Sequence, residues 1–216
     1  MKNNAVKNNM LRARFLLPAL ALFTFAACSS EPQKPAEQKA APKPAETVTA
    51  REAFQKLYIT ARSWAADARP VRLESQPAAD SDGHDGKAAI WRALFASPGR
   101  RTIEAFVWSG SAATDAPERG ISHGTEDTFN PTNASTQPFD MQFLKIESDA
   151  AFETAQKHGG EKELKTDPKL PVGYLLDWDA NKSQLVWHVF YGASRSDAKL
   201  AVDVDATTGL FLRVEK

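Results

Sequence analysis

The amino-acid sequence predicts an α+β fold of two helix-plus-antiparallel-sheet units, preceded by a signal peptide and a disordered tether. Three observations predict it. Behind a Thr49-x-x-Glu52 signature, residues 50–64 place apolar side chains every three or four positions, the pattern of one amphipathic helix. Residues 185–191 and 200–215 alternate with the period of strands. Finally, stretches about one hundred residues apart resemble each other in the same order, as an internal repeat would.

The first element is a leader. Lys2, Lys7, Arg12 and Arg14 precede an uncharged apolar run, residues 15–27, which has the order of a secretory signal peptide. A bilayer-spanning helix needs about 20 apolar residues, so this run is too short to be one. Small residues, Ala26 and Ala27, stand directly before Cys28, the single cysteine of the chain. Phe25-Ala26-Ala27-Cys28 resembles the lipobox of bacterial lipoproteins, with Phe25 in place of the usual aliphatic residue. That resemblance implies lipidation of Cys28, removal of residues 1–27, and a membrane partner held through the N-terminal lipid. Ser29, where an Asp would imply retention in the inner membrane, points within the same resemblance to the outer membrane, facing the periplasm. With one cysteine no internal disulfide can support the fold.

Residues 28–47 form a linker rich in Pro, Ala, Lys and Glu, with Pro32, Pro35, Pro42 and Pro44 and no large apolar residue. Such a segment cannot bury a core and is expected to be an extended tether. The formal charge is +0, and without the four basic residues of the leader 23 basic residues face 27 acidic ones, about −4. That balance excludes a basic footprint, and no nucleic-acid partner is expected.

Residues 48–110 are read as the first α+β unit. Ala53, Phe54, Leu57, Tyr58, Ala61 and Trp64 form the apolar helical face, and Trp91 and Trp108 fall in strand-like runs. Residues 111–138 are polar, broken by Pro117, Pro131 and Pro138, and read as a long connecting loop. Residues 139–216 are the second unit. Ser148 is expected to cap a helix through Phe152 and Ala155 that stops at Gly159-Gly160, with His158 as a cation near its C-terminus. Leu185, Trp187 and Val189 alternate with Val186, His188 and Phe190, a strand apolar on both faces and therefore central. Leu200, Val202 and Val204 alternate with Ala201, Asp203 and Asp205, a strand with one wet face. A turn at 205–209, with Gly209 free to take positive φ, then leads into a last strand. The repeat pairs Ala53-Phe54 with Ala151-Phe152, Trp91 with Trp187, Phe95 with Tyr191, and Pro70-Val71 with Pro171-Val172.

KIESDAAFETAQKHGG at 145–160, VGYLLDW, LVWHVFYG and the closing LAVDVDATTGLFLRVE resemble the PepSY domain family. Val202, Val204, Asp205, Ala206, Thr208 and Gly209 carry most of that likeness, and the first half shares it only weakly because it lacks the closing turn. The resemblance implies a cell-envelope or secreted module that binds or inhibits peptidases and has no catalytic residues of its own.

The side chains give little for chemistry. His84, His123, His158 and His188 are scattered, and His-Glu-x-x-His, Cys-x-x-Cys and Gly-x-Ser-x-Gly patterns are missing, so neither cofactor nor catalytic residue is expected. Asp80, Asp82 and Asp85 in ADSDGHDGK are oxygen ligands on a turning loop, weak candidates for a metal because the spacing fails the EF-hand pattern. In the connecting loop, His123, Glu126, Phe129 and Asn133 are candidates to meet a partner. Trp91, Trp108, Trp178 and Trp187 are read as sheet core. The expected function is a non-catalytic envelope lipoprotein module that binds a protein or peptide. The competing readings are a metal-dependent or hydrolytic enzyme built on the loop His, Asp and Glu residues, and a structural envelope protein.

Overall fold

The computed structural model describes residues 43–215. The signal-peptide segment, Cys28 and most of the linker lie outside the described residues. The chain runs through β1 (Val48–Thr49), α1 (Ala50–Trp64), β2 (Arg69–Ser75), β3 (Lys87–Ala88), β4 (Ile90–Ser97), β5 (Thr102–Ser109), β6 (Gly120–His123) and β7 (Asp127–Thr128). It continues through α2 (Ser148–Ala155), α3 (Glu161–Thr166), β8 (Val172–Asp179), β9 (Gln184–Tyr191), β10 (Leu200–Asp205) and β11 (Phe211–Glu215). β1 pairs with β3 alone. The other strands make one antiparallel nine-stranded sheet in the order β11-β10-β9-β8-β2-β4-β5-β6, with β7 also on β5. The architecture is α+β, and no helix among the described residues is long and apolar enough to cross a membrane.

The seam of the sheet is the β2–β8 ladder, in which Arg72, Leu73 and Glu74 face Asp177, Leu176 and Leu175. On either side a helix is followed by antiparallel strands, and α1 and α2 lie on the same face. The side chains beneath them are the large apolar ones: Leu73, Trp91, Phe95, Phe106, Tyr174, Leu176, Trp187, Val189 and Val202 are all buried in one cluster. The four strand tryptophans fall in β4, β5, β8 and β9 as their pattern predicts, with Trp178 packed at the rim against Phe143. The paired tryptophans of the repeat also make the same bond. The indole N–H of Trp91 donates to the Val48 carbonyl at 3.0 Å, and that of Trp187 donates to the Ile146 carbonyl at 3.0 Å. Each ties a strand to the chain just before the helix that covers it.

α1 begins with the capping box that its sequence specifies, Thr49 and Glu52 bonding each other's backbone. Two of its other free amides are satisfied from the second half of the chain. The Ala50 N–H donates to Ser148 Oγ at 3.0 Å and the Arg51 N–H to Glu147 Oε1 at 2.9 Å. Ser148 therefore caps α1 rather than its own helix, whose N-cap is Glu147. The hydroxyl of Ser148 in turn donates to the Gly86 carbonyl at 2.6 Å. Gly86 has φ +79, and a Cβ there would stand 2.2 Å from the Asp149 Cα, so this junction admits only glycine.

The second helix leaves helical geometry at His158 and Gly159, as its glycines predict: Gly159 stands at φ +118, and beyond this kink a short helical segment, α3, follows. The His158 ring, near that end, stacks on Phe211 at 3.8 Å. One expectation is corrected here. The stretch 111–138 is partly sheet, because β6 and β7 pair with the outer edge of β5. An unpaired edge of eight residues would otherwise leave a row of backbone donors and acceptors open.

Ser148→Ala tests the shared cap. It removes the buried acceptor of the Ala50 N–H and the donor to Gly86, and is expected to cost about 2 kcal/mol in urea unfolding. A loss below about 0.5 kcal/mol would show that the cap is not used.

Candidate functional site

The face of the sheet opposite the helices is left uncovered by them. Period-2 alternation decides its composition. With Trp91, Tyr174 and Trp187 turned to the helices, Ile90 and Arg92 of β4, Val107 of β5, Gly173, Leu175 and Asp177 of β8, and Val186, His188 and Phe190 of β9 turn to the other side. Part of this face is a groove of ≈ 880 Å³ with a floor that includes Ile90, Val107, Gly173, Leu175 and Phe190. Residues 76–79, Ser81, 115–117 and 192–195 form its walls. Phe190 lies flat over Gly173, where a Cβ would come within 2.2 Å of the ring.

Beside the groove, a line of alternating charges crosses five adjacent strands. Arg72 of β2 meets Asp177 of β8 at 3.0 Å. His188 of β9 lies between Asp177 Oδ1, 3.2 Å from its Nε2, and Asp203 Oδ1 of β10, 2.5 Å from its Nδ1. Arg213 of β11 meets Asp203 Oδ2 at 2.6 Å. Glu215 closes the line, 3.3 Å from Arg213 and held by both Nε and Nη2 of Arg195 at 2.9 and 2.6 Å. Asp203 is 0% exposed and His188 5%, so the outer side of β10 is not the wet face that its sequence predicts. The side chain of Arg213 meets Asp203 there, and Glu215, held by Arg195, lies 3.8 Å from His188.

Burial opposes a charge on His188, but its bonds to Asp177 and Asp203 outweigh that and raise its pKa above the ordinary value. The geometry agrees. Both ring nitrogens face carboxylate oxygens, and only the doubly protonated ring has two N–H donors. Asp177 is held below the usual carboxylate range, where burial would raise it, by the imidazole and Arg72. Glu215 is likewise lowered against burial by Arg195.

His188, Asp203 and Glu215 offer ligand atoms within 4.8 Å of one another, a set that could hold a metal by residue type. The surrounding charges argue otherwise. Arg195 and Arg213 already hold these carboxylates, and a divalent ion would enter a cluster whose cations at least match its anions. The weak metal candidates of the sequence are elsewhere and are used locally. Asp80 accepts from Ser111 Oγ at 2.8 Å and the Ala112 N–H at 2.7 Å, and those bonds keep its pKa low against burial. Asp82 and Asp85 accept the backbone N–H of His84 and Lys87 at 3.1 Å, as turn residues do.

The four loop candidates do not converge. His123 sits on β6, its ring stacked on Phe106 and its Nδ1 2.5 Å from the buried Glu104. Glu126 receives the Trp64 indole N–H at 2.7 Å and pairs with Arg100; the Trp64 bond leads the causes that lower its pKa. Asn133 is exposed and caps a 3₁₀ turn through the Ser135 N–H at 3.0 Å. Phe129, expected to be presented to a partner, is only 3% exposed and packs with Val71, Ala96 and Ile103 on the helix-free side. Its place is structural. Cys28, the lipidation candidate, lies outside the described residues.

Sequence reading missed Arg72, Asp177, Asp203, Arg195, Arg213 and Glu215 as a group. His188 in an apolar strand and Asp203 between valines were the available signals, but only strand register brings them together.

Two predictions follow from these placements. Phe129→Ala is expected to destabilise the fold by about 3 kcal/mol, read by urea unfolding; a fully stable variant would contradict its burial. For His188 the folded pKa is the raised one, so its stabilisation is complete below the unfolded value of about 6.5 and lost as pH rises through the folded value. The stability of the natural chain should therefore decline with rising pH above about 6.5 relative to His188→Gln, which itself should cost about 3 kcal/mol at lower pH. Parallel pH curves for the two proteins would contradict the assignment.

Comparison with known proteins identifies no family: no protein-family model matches the chain, and no curated protein matches it. Among solved structures, a provisionally named lipoprotein from Clostridium difficile 630 is similar over 76% of this chain and 91% of its own, at 14% identity and a TM-score of 0.48. A likeness at that level assigns neither family nor ligand.

Proposed function

We propose that the chain is a non-catalytic, lipid-anchored module of the bacterial cell envelope that binds an extended protein or peptide segment on the helix-free face of its sheet. The groove of ≈ 880 Å³ carries this reading, because it is large enough for several residues and is floored mainly by apolar side chains. Phe25-Ala26-Ala27-Cys28 supports the anchor, Ser29 supports an outer-membrane site facing the periplasm, and the PepSY-like 145–216 segment makes a peptidase the leading class of partner.

Photo-crosslinking in intact envelopes tests the reading. A benzoylphenylalanine at position 190, in the groove, is expected to give a discrete protein or peptide adduct; the same group at Ile59, 70% exposed on α1, is not. Equal adducts at both positions, or none at 190, would sink the groove as the binding surface. In the same fractionation Cys28→Ser should leave the membrane pellet, and its retention there would refute the lipid anchor.

A further inference from the structure

The groove has a charge at one end that its own walls do not cancel. Arg72, His188, Arg195 and Arg213 stand against Asp177, Asp203 and Glu215 in one contiguous network. Because His188 has a carboxylate at each ring nitrogen, it carries both protons there, and the cations exceed the anions by one. Arg195 is the member of this network that also lines the groove. Glu215 occupies its Nε and Nη2, and its remaining Nη1 donors are on a side chain that is 37% exposed. The other groove charges do not supply the missing anion: Glu74 is paired with Arg92 at 2.8 Å, and Asp115 lies on the far wall, next to β5.

Resting on the peptide-binding reading, we propose that Arg195 receives the free C-terminal carboxylate of an apolar peptide lying across the strands, with the peptide's N-terminal end toward Asp115. The walls at 192–195 and 115–117 follow β9 and β5, and β8, β2 and β4 lie between those strands. Four strand spacings give about 19 Å, the length of about six extended residues. Ile90, Val107, Leu175 and Phe190 make the apolar part of the floor between the two ends, with the paired Glu74 and Arg92 among them, so the interior residues of the peptide are mainly apolar. A guanidinium beside an apolar surface is the recognition group that suits a carboxylate, because a charge-assisted fork matches its two oxygens.

The test uses the purified full chain with two degenerate hexapeptide libraries, one with free C-terminal carboxylates and one amidated, and reads retained peptides by mass spectrometry after equilibrium dialysis. Free acids should be enriched about tenfold over amides, and Arg195→Gln should abolish that preference while amides remain bound. Arg195→Lys, which keeps the charge, should restore part of the preference. Equal retention of acids and amides by the natural chain would overturn the carboxylate site and leave the peptide groove standing. Retention of neither library would overturn both, and decanoate bound by the natural chain in place of peptides would assign the carboxylate to an acyl chain instead.

Discussion

A histidine held between two aspartates sets the terms for one whole face of this protein. His188 lies in the middle of the line Arg72-Asp177-His188-Asp203-Arg213, which alternates in sign across β2, β8, β9, β10 and β11. Buried charges cost several kcal/mol each when unpaired, so such a line is tolerable only as a set in which every ion has an opposite charge beside it. It also fixes register. A slip of one residue in any of the five strands would turn a charge into the apolar layer beneath the helices and a large apolar residue out onto the face.

The helix side obeys a different constraint with the same result. α1 and α2 start close together, and Glu147 and Ser148 satisfy backbone donors of both starts. The helix of the first half cannot be fully capped without the second. Together with the β2–β8 ladder, this makes the sheet one continuous surface, and the groove uses strands from both sides of the seam. The conformational demand falls on few residues: Gly86 where α2 meets the β3 turn, and Gly173 where Phe190 lies across β8.

What was legible in the sequence was local. The Thr49–Glu52 capping box, the apolar stripe of α1, the tryptophan-bearing strands and the Gly209 hairpin all depend on residues within a few positions of each other, and the structure has them where the pattern places them. The misread features depend on distant partners. Ser148 looked like the cap of its own helix because its acceptor role toward Ala50 is set by tertiary packing. Asp203 looked solvent-facing because alternation reports polarity and not what lies above it. Phe129 looked available for a partner because it sits in a polar stretch, yet it covers Val71, Ala96 and Ile103. The candidate site was the least legible part, since its charges come from five strands and one connection and have no spacing signature.

These elements make a sheet whose covered face supplies stability and whose other face supplies a groove with a charged end. The claim beneath this picture is that His188 is a resident cation. Nitrogen-15 NMR of the imidazole in the purified chain tests it most directly. The account predicts that both ring nitrogens stay protonated at pH 7 and that the ring titrates above its ordinary value of about 6.5. A neutral ring with a single protonated nitrogen at pH 7 would contradict it, and would remove the excess charge that defines the end of the groove.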